Sequence, residues 1–484
     1  MPNRPNKLTV TNVSRDVINA ILNEGWSVNY RDYVPITATD ADSIRDIGKI
    51  IMDAPNLRNA FASDLINRIV LVIVTSKMYE NPWARLKKGK LDIGESVEEI
   101  FVNMARAELY NPAGSAETVF KRSIPDIRAA FHVVNYQVFY PVTIENEDLS
   151  MAFTTQNGLY NLIEKIYETL YTADAYDEFN VMKYLIAEHI LAGHIKVVQT
   201  IVPENETSIR SIVANIKATS NKMKFQTSKY NLAGVKTHVK HENQTIIVSA
   251  DFDAAMDVQV LAAAFNMEKA EFLSKRMLVD SFGNIDIPRL AECAPELCQN
   301  IEYDTDGHVV SADLKNISAE DLEKLNSIPA VIIDDDFMQI YDRLITMEDI
   351  RNPKGLYTNA FLHCWKIFSI SPFAPAVAFT DSTNAGISSV SVTPATANTV
   401  KGGNVNLQAV VNGDGIFDRS VTWKLLGANS TGVVISLAKG TVITPTGNLQ
   451  VAADEKAKTI TVTAISNARP SISGSSTITI SDNA

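Results

Sequence analysis

From about Ala385 to Asn483 apolar and polar residues alternate in short runs, a pattern unlike the rest of the chain, and it divides the sequence into two parts that must fold differently. The runs are Ile387–Val392, Val405–Val411, Ser420–Leu425 and Thr459–Ala464, separated by turns containing Gly, Asn and Pro. Period-two alternation with β-branched residues makes half-buried strands. Several of them at this spacing predict an immunoglobulin-like sandwich over 385–484, with Trp423 filling the space between its sheets. The segment has no cysteine, so no inter-sheet disulfide supports it.

Charge divides the chain at the same place. Residues 382–484 hold seven Lys+Arg and five Asp+Glu, leaving 37 and 51 for the first 381, so the body is net −14 and the tail +2. At 484 residues the chain exceeds the roughly 250–300 at which single cores stop growing, so two to four domains are expected. The acidic body argues against a general nucleic-acid binder, which needs a concentrated basic surface to release counterions. Three cysteines, Cys293, Cys298 and Cys364, fit a reducing compartment better than a disulfide framework, with a Cys293–Cys298 bridge as the minor alternative. No export signal is visible, and the longest apolar run, Ile69–Val74, is far too short to span a bilayer.

Within the body, Val17, Ile18, Ile21 and Leu22 predict one short helix in an otherwise polar arm ending near Tyr33. A helix from Ala60 runs into a strand over Ile69–Val74. Pro and Gly punctuate an excursion from Tyr79 to Pro141, and a β-hairpin is expected there. Leu159, Leu162, Ile163, Ile166 and Leu170, then Met182, Leu185 and Ile186 after Tyr176-Asp-Glu178, form the stripe of one long or gently broken helix ending before Gly193. Residues 195–287 read as α+β, with a strand at Thr245–Ser249 and an apolar helical face at Ala263–Met267. Residues 289–327 read as an acidic insertion whose Ser318-Ala-Glu-Asp321 is a capping-box helix start. A buried strand, Ala330–Ile333, and further strand over Ile367–Phe379 complete the body.

Candidate chemistry is sparse. Asp334, Asp335 and Asp336 follow a buried strand, where carboxylates can hold a divalent metal, but alternation turns Asp335 away from its neighbours, and no phosphate-cradling loop accompanies them. A solvated strand-end turn is the simpler reading. His189 and His194 do not have the i, i+4 spacing of a zinc helix, and Cys364 among apolar neighbours reads as an inert thiol. Gly-x-Ser-x-Gly, Walker and dinucleotide motifs are absent, so neither an enzyme nor a cofactor is expected. The densest basic cluster, Arg85, Lys87, Lys88 and Lys90, is followed by Glu95, Glu98 and Glu99 in the same excursion. A solvated face is one reading of such a charge run; the other is a two-signed hairpin that projects from the body and pairs with oppositely charged patches on a neighbouring molecule.

Arg68–Ile73, Asn81-Pro82 with Leu86–Gly89 and Ile93-Gly94, Glu98–Ile100, Ala264–Met267, Met347-Glu348, Arg351–Tyr357 and Ala376–Phe379 together resemble, in the same order, the major capsid protein of phi29-type small podoviruses. The likeness runs from about Tyr33 to the end, and members of that family carry a bacterial Ig-like group 2 domain at the C-terminus. The resemblance implies an α+β, Hong Kong 97-type capsid fold plus an all-β immunoglobulin-like sandwich. Its parts would be an N-terminal arm (1–60), a core (61–381) with an extended loop (79–141), a spine helix (149–193), an axial domain (200–335) and the return of the peripheral domain (337–380), and then the Ig-like domain (385–484). It implies a virion shell built of pentamers and hexamers and assembled in the host bacterial cytoplasm. The implied partners are a scaffolding protein, a portal at one vertex, a head fibre, and packaged double-stranded DNA enclosed without sequence-specific binding, with no membrane. Arg351 and Lys354 would lie at contacts between capsomers, and the basic cluster would touch a neighbouring subunit. The chain departs from the family pattern at 289–327, which is extra, and at Pro372, where a basic residue is expected. Two rival readings stand beside this one, an Ig-like surface or tail protein and a metal-dependent enzyme using Asp334 and Asp336.

Overall fold

The computed structural model describes residues 13–24, 29–69, 79–91, 96–105, 107, 126–154, 158–203, 205–260, 276–380 and 386–481. Helices α1 (Val13–Glu24), α2 (Ala41–Asp53) and α3 (Pro55–Ile69) open the chain. The arm was expected to hold one helix, and α1 is that helix, with Val17, Ile18, Ile21 and Leu22 buried. Beyond the polar stretch that ends near Tyr33, α2 buries Ile44, Ile47 and Ile51 at helical spacing. Asp40 starts α2 with a capping box, accepting from the Ser43 amide at 2.8 Å while Ser43 Oγ accepts from the Asp40 amide at 3.0 Å. The strand expected after Ile69 lies outside the described residues, as does Ala263–Met267.

Then come β1 (Gly89–Lys90), β2 (Ser96–Val102), β3 (Ile127–Val133), β4 (Tyr136–Glu145), α4 (Asn146–Ala152), α5 (Gly158–Leu191), β5 (Lys196–Gln199), α6 (Glu206–Met223), β6 (Gln244–Ser249), α7 (Ala250–Val260) and β7 (Arg276–Val279). The body ends with α8 (Ile287–Cys293), β8 (Cys298–Tyr303), β9 (Val309–Leu314), α9 (Ala319–Asn326), β10 (Ala330–Asp334), β11 (Met338–Asn352), β12 (Tyr357–Ile370) and β13 (Ala376–Thr380). Two sheets organise these elements: a four-stranded one in the order β1-β11-β12-β4 and a five-stranded one in the order β5-β13-β10-β6-β7.

The 34 residues of α5 span roughly 50 Å, long enough to serve both sheets. Its first half buries Leu159, Ile163, Ile166 and Leu170 with α1–α3 and the inner face of the four-stranded sheet. Its second half buries Met182, Ile186 and Ile190 against one face of the five-stranded sheet. The other face of that sheet packs Ile246, Val248 and Ile332 on Ile212 and Ile216 of α6 and Phe252 of α7. The 289–327 segment is built on the first of these faces, with Leu290, Leu314 and Leu325 buried there, and its expected capping box at Ser318 and Asp321 starts α9.

Beyond Gly386 every described element is a strand. Gly386–Thr393 pairs with Gln408–Asp414. A five-stranded sheet runs in the order Thr396–Val400, Ser473–Ser481, Thr459–Ser466, Val421–Ala428, Val434–Ile435, and three short strands form the remaining sheet. Aliphatic residues and Phe417 fill the space between them, chiefly Leu407, Val411, Leu449, Ile460, Val462 and Ile478. Trp423 is thereby corrected as the inter-sheet filler: it is half-buried, and its Nε1 donates to the Pro445 carbonyl at 3.2 Å. The Val405–Val411 run breaks at Leu407, whose amide donates to the Gly447 carbonyl at 2.9 Å. Gly447 adopts φ 88°, and a Cβ there would lie 2.0 Å from the Leu407 carbonyl oxygen, so only glycine fits. These strands also touch the body: Ile416 is buried in its core, Asp418 pairs with Lys196 at 3.5 Å, and the Arg419 side chain lies on Gly193.

Candidate functional site

Where α5 passes from one core to the other, its buried face turns polar. Glu178 accepts from Lys366 Nζ of β12, from Lys87 Nζ at 2.9 Å and from Asn81 Nδ2 at 2.6 Å. Lys366, fully buried, reaches Asp174 at 2.8 Å, and Lys87 reaches Asp342 of β11, also at 2.8 Å. One turn along, Asp177 is held by Arg289 of α8 at 2.6 and 3.1 Å and by the Tyr140 hydroxyl of β4 at 2.7 Å. Burial alone would raise Glu178, but Lys366 and Lys87 outweigh it and hold its carboxyl below the ordinary range. Burial likewise opposes charge on Lys87, and Glu178 chiefly reverses that, leaving the ammonium above the ordinary lysine range. Two cations between three carboxylates fasten the helix to both long strands and to the chain entering the hairpin.

The basic cluster is therefore corrected as a set projecting from the body. Lys87 belongs to the buried junction, Lys88 pairs with Asp336 and donates to the Asp335 carbonyl at 2.9 Å, and Arg85 donates to Thr245 Oγ1 at 2.7 Å. Trp83 and Leu86 anchor the same segment in the core. Lys90 remains exposed on β1, which pairs in parallel with β11 through Lys90↔Asp342.

β2 and β3 form the expected hairpin, paired Ser96↔Val133 to Val102↔Ile127. One of its faces lies on its own body. Glu99 contacts buried His132 at 3.3 Å and accepts from Ser371 at 2.7 Å, Phe101 stacks on Phe373 with ring centres 5.4 Å apart, and Arg128 donates to the Ala233 carbonyl at 2.8 Å. The other face carries Ile100, Val102, Ile127, Phe131 and Val133, each 56–67% exposed. Alternation on a two-stranded sheet explains both faces. Five large apolar side chains in one exposed ladder exceed what single scattered residues account for, and such a patch marks a contact surface.

At the far end of β11 and β12, Asn352 Oδ1 accepts from the amides of Lys354 and Gly355 at 3.0 Å each, and Leu356 takes φ 59°. Arg351 is half-buried and Lys354 exposed at this tip. The other singled-out residues find local partners. Asp335 accepts from Thr245, and Asp334 accepts from the Asp336 amide at 3.1 Å, its carboxyl pushed up by burial to about 6. His189 and His194 meet through Nδ1 atoms 2.8 Å apart, and burial lowers His189 to about 4. Cys293 and Cys298 are free thiols, and burial pushes Cys293 up to about 12. Among the described residues no three His, Cys, Asp or Glu come together as metal ligands, and no helix is long and apolar enough to cross a membrane.

Sequence reasoning missed the junction and the apolar ladder. The junction's signal was present: Asp174, Asp177 and Glu178 interrupt an apolar stripe at helical spacing, and Lys366 interrupts an apolar strand.

Residues 18–380 match the family model described as Phi29-like phage major capsid protein. Among similar relatives, the major capsid protein of Bacillus phage B103 is 31% identical over 446 residues, covering 91% of this chain and 88% of its own length. That of Bacillus phage GA-1 is 32% identical over 405 residues, covering 82% and 76%. A chain in the capsid structure of Staphylococcus phage Andhra aligns with a TM-score of 0.48 at 14% identity, covering 64% of this chain and 87% of that one.

Proposed function

The chain belongs to the Phi29-like phage major capsid protein family, and we propose that it builds its shell by a Hong Kong 97-type division of labour between a rigid two-core body and a hairpin that covers the next subunit. As the major capsid protein of a tailed bacteriophage it is a structural protein that self-assembles. The single observation that carries the finer reading is the apolar ladder on the outer face of β2 and β3. A subunit alone leaves that face in water, and burying it on a neighbour removes the cost. The exposed Lys90 and Lys354, with half-buried Arg351, would surround such contacts as a charged rim that sets register.

In this reading residues 1–60 are the arm, 79–141 the extended loop, 149–193 the spine, 200–335 the axial domain with its 289–327 insertion, and 337–380 the peripheral return. The long α5 helix and the two sheets support these assignments. The strands of 385–484, with their own aliphatic core, support an Ig-like group 2 domain. Pentamers and hexamers, a scaffolding protein, a portal at one vertex, a head fibre and assembly in the host cytoplasm belong to the same proposal. The acidic body suits an enclosure from which packaged DNA must slide freely.

The test is Ile100→Lys with Phe131→Lys, co-expressed with the scaffolding protein and viewed by electron microscopy. Both sites are exposed, so the subunit should keep its stability within about 0.5 kcal/mol and fail to form shells. Normal particles from the double variant would refute the role given to the ladder.

A further inference from the structure

We propose that neighbouring subunits in a capsomer ring are joined by a charge-complementary head-to-tail contact, in which a lysine lobe at 217–240 of one copy seats on the acidic lobe at 292–323 of a second copy. It rests on the self-assembling reading above. In this acidic chain, residues 211–241 contain six lysines and no carboxylate. The fold gathers them. Thr227 and Thr237 exchange amide bonds at 2.9 and 3.1 Å, Val239 donates to Met223 at 2.8 Å, and Gln226 meets His238 at 2.9 Å, so 223–229 runs antiparallel beside 235–240. That register sets Lys224 across from Lys240. Alternation buries Val235 and Val239 and turns Lys236, His238 and Lys240 outward. Lys217, Lys222, Lys224, Lys229 and Lys236 are exposed and form no ion pair among the described residues, and Phe225 stands 72% exposed between them.

The counterpart is on the same chain. Residues 292–323 hold nine carboxylates against one lysine, and Glu296, Glu302, Asp306, Glu320 and Glu323 are exposed without an ion pair among the described residues. The two lobes leave the five-stranded sheet at opposite ends: the lysine lobe runs into Gln244, which pairs with Asp334, and the acidic lobe runs into Ala330, which pairs with Val248. They also occupy opposite faces, Met223 packing with Ile246 and Ile332 on one side, Leu314 and Leu325 with Ile247 and Val331 on the other. The four rises between the first and last of five paired residues separate those ends by about 13 Å, beyond the roughly 8 Å over which charges act at physiological salt, so the lobes do not neutralise each other within one copy. Two complementary patches on different sides of one chain allow a heterologous contact, which closes into a ring when the rotation between copies is right. Enclosed DNA would satisfy the lysines alone and leave the acidic lobe without cations, whereas a second copy satisfies both.

Charge-swap variants test the contact, each co-expressed with the scaffolding protein. Lys224→Glu, Lys236→Glu and Lys240→Glu together should cut particle yield at least tenfold while the subunit keeps its circular dichroism, and Glu302→Lys, Glu320→Lys and Glu323→Lys together should do the same. Both sets in one chain should restore most of the yield, and carbodiimide treatment of wild-type shells should join these lysines to these carboxylates between subunits. A combined variant as defective as the lysine variant would overturn the proposal. So would a lysine variant that assembles fully but retains less DNA, which would give the lobe to nucleic acid. If the wild-type chain itself forms no shells, the self-assembly reading fails first and takes this contact with it.

Discussion

Lys366 shows how one side chain can hold a subunit together. It is fully buried in a strand between Asp174 and Glu178, and replacing it by Met leaves two carboxylates in a poorly solvated junction. Removing one partner of a buried pair typically costs about 3–5 kcal/mol, so Lys366→Met should lower the denaturation midpoint accordingly, and adding Asp174→Asn and Glu178→Gln should recover part of the loss. Acid should act in the same direction. The pKa of Glu178 is depressed on folding, so its contribution is present above the unfolded value and is lost as pH falls through the lower folded one. Asp334 has the opposite sign. Its folded pKa of about 6 lies above the ordinary aspartate range, so its contribution is full at low pH and disappears as pH rises through 6. Asp334→Asn, which keeps an acceptor for the Asp336 amide, should therefore gain stability at pH 7, by at most about 3 kcal/mol, and little at pH 4. Equal effects at both pH values in urea titrations would count against that assignment.

Elements differ in how far their own sequences announce them. The stripe of α5 and the Ser318–Asp321 start of α9 were legible because their causes lie within a turn or two of the chain. The hairpin was legible from its Gly and Pro punctuation. Which of its faces meets the body was not, because that depends on Ser371 and Phe373, some 270 residues away. Lys87 was misread for the same reason: a lysine beside other lysines looks solvated until Glu178 and Asp342 arrive from distant elements. Charge reversal at Lys87 should consequently unfold or destabilise the subunit before it affects any contact between subunits. Thermal melting of Lys87→Glu alone, compared with Lys90→Glu, checks this: the first should melt several degrees lower and the second unchanged.

For the whole molecule, the strands beyond Gly386 gather an aliphatic core of their own and are fastened to the body through Ile416, Asp418 and Arg419. A chain ending at Asp381 should still fold and close into shells, because the body's cores lie almost wholly before that point. It should melt a few degrees lower than the full chain, having uncovered the site of Ile416. Aggregation of that truncated body would mean the strands beyond Gly386 are integral to it. A single helix shared between two cores has a further effect on how the body comes apart. Neither half can lose its packing while α5 stays intact, and α5 cannot fray at its middle without dissolving the ion cluster at Glu178. Amide exchange should then show the slowest protons of both sheets opening together at one common free energy, which for a container wall means that a subunit under load yields all at once or not at all.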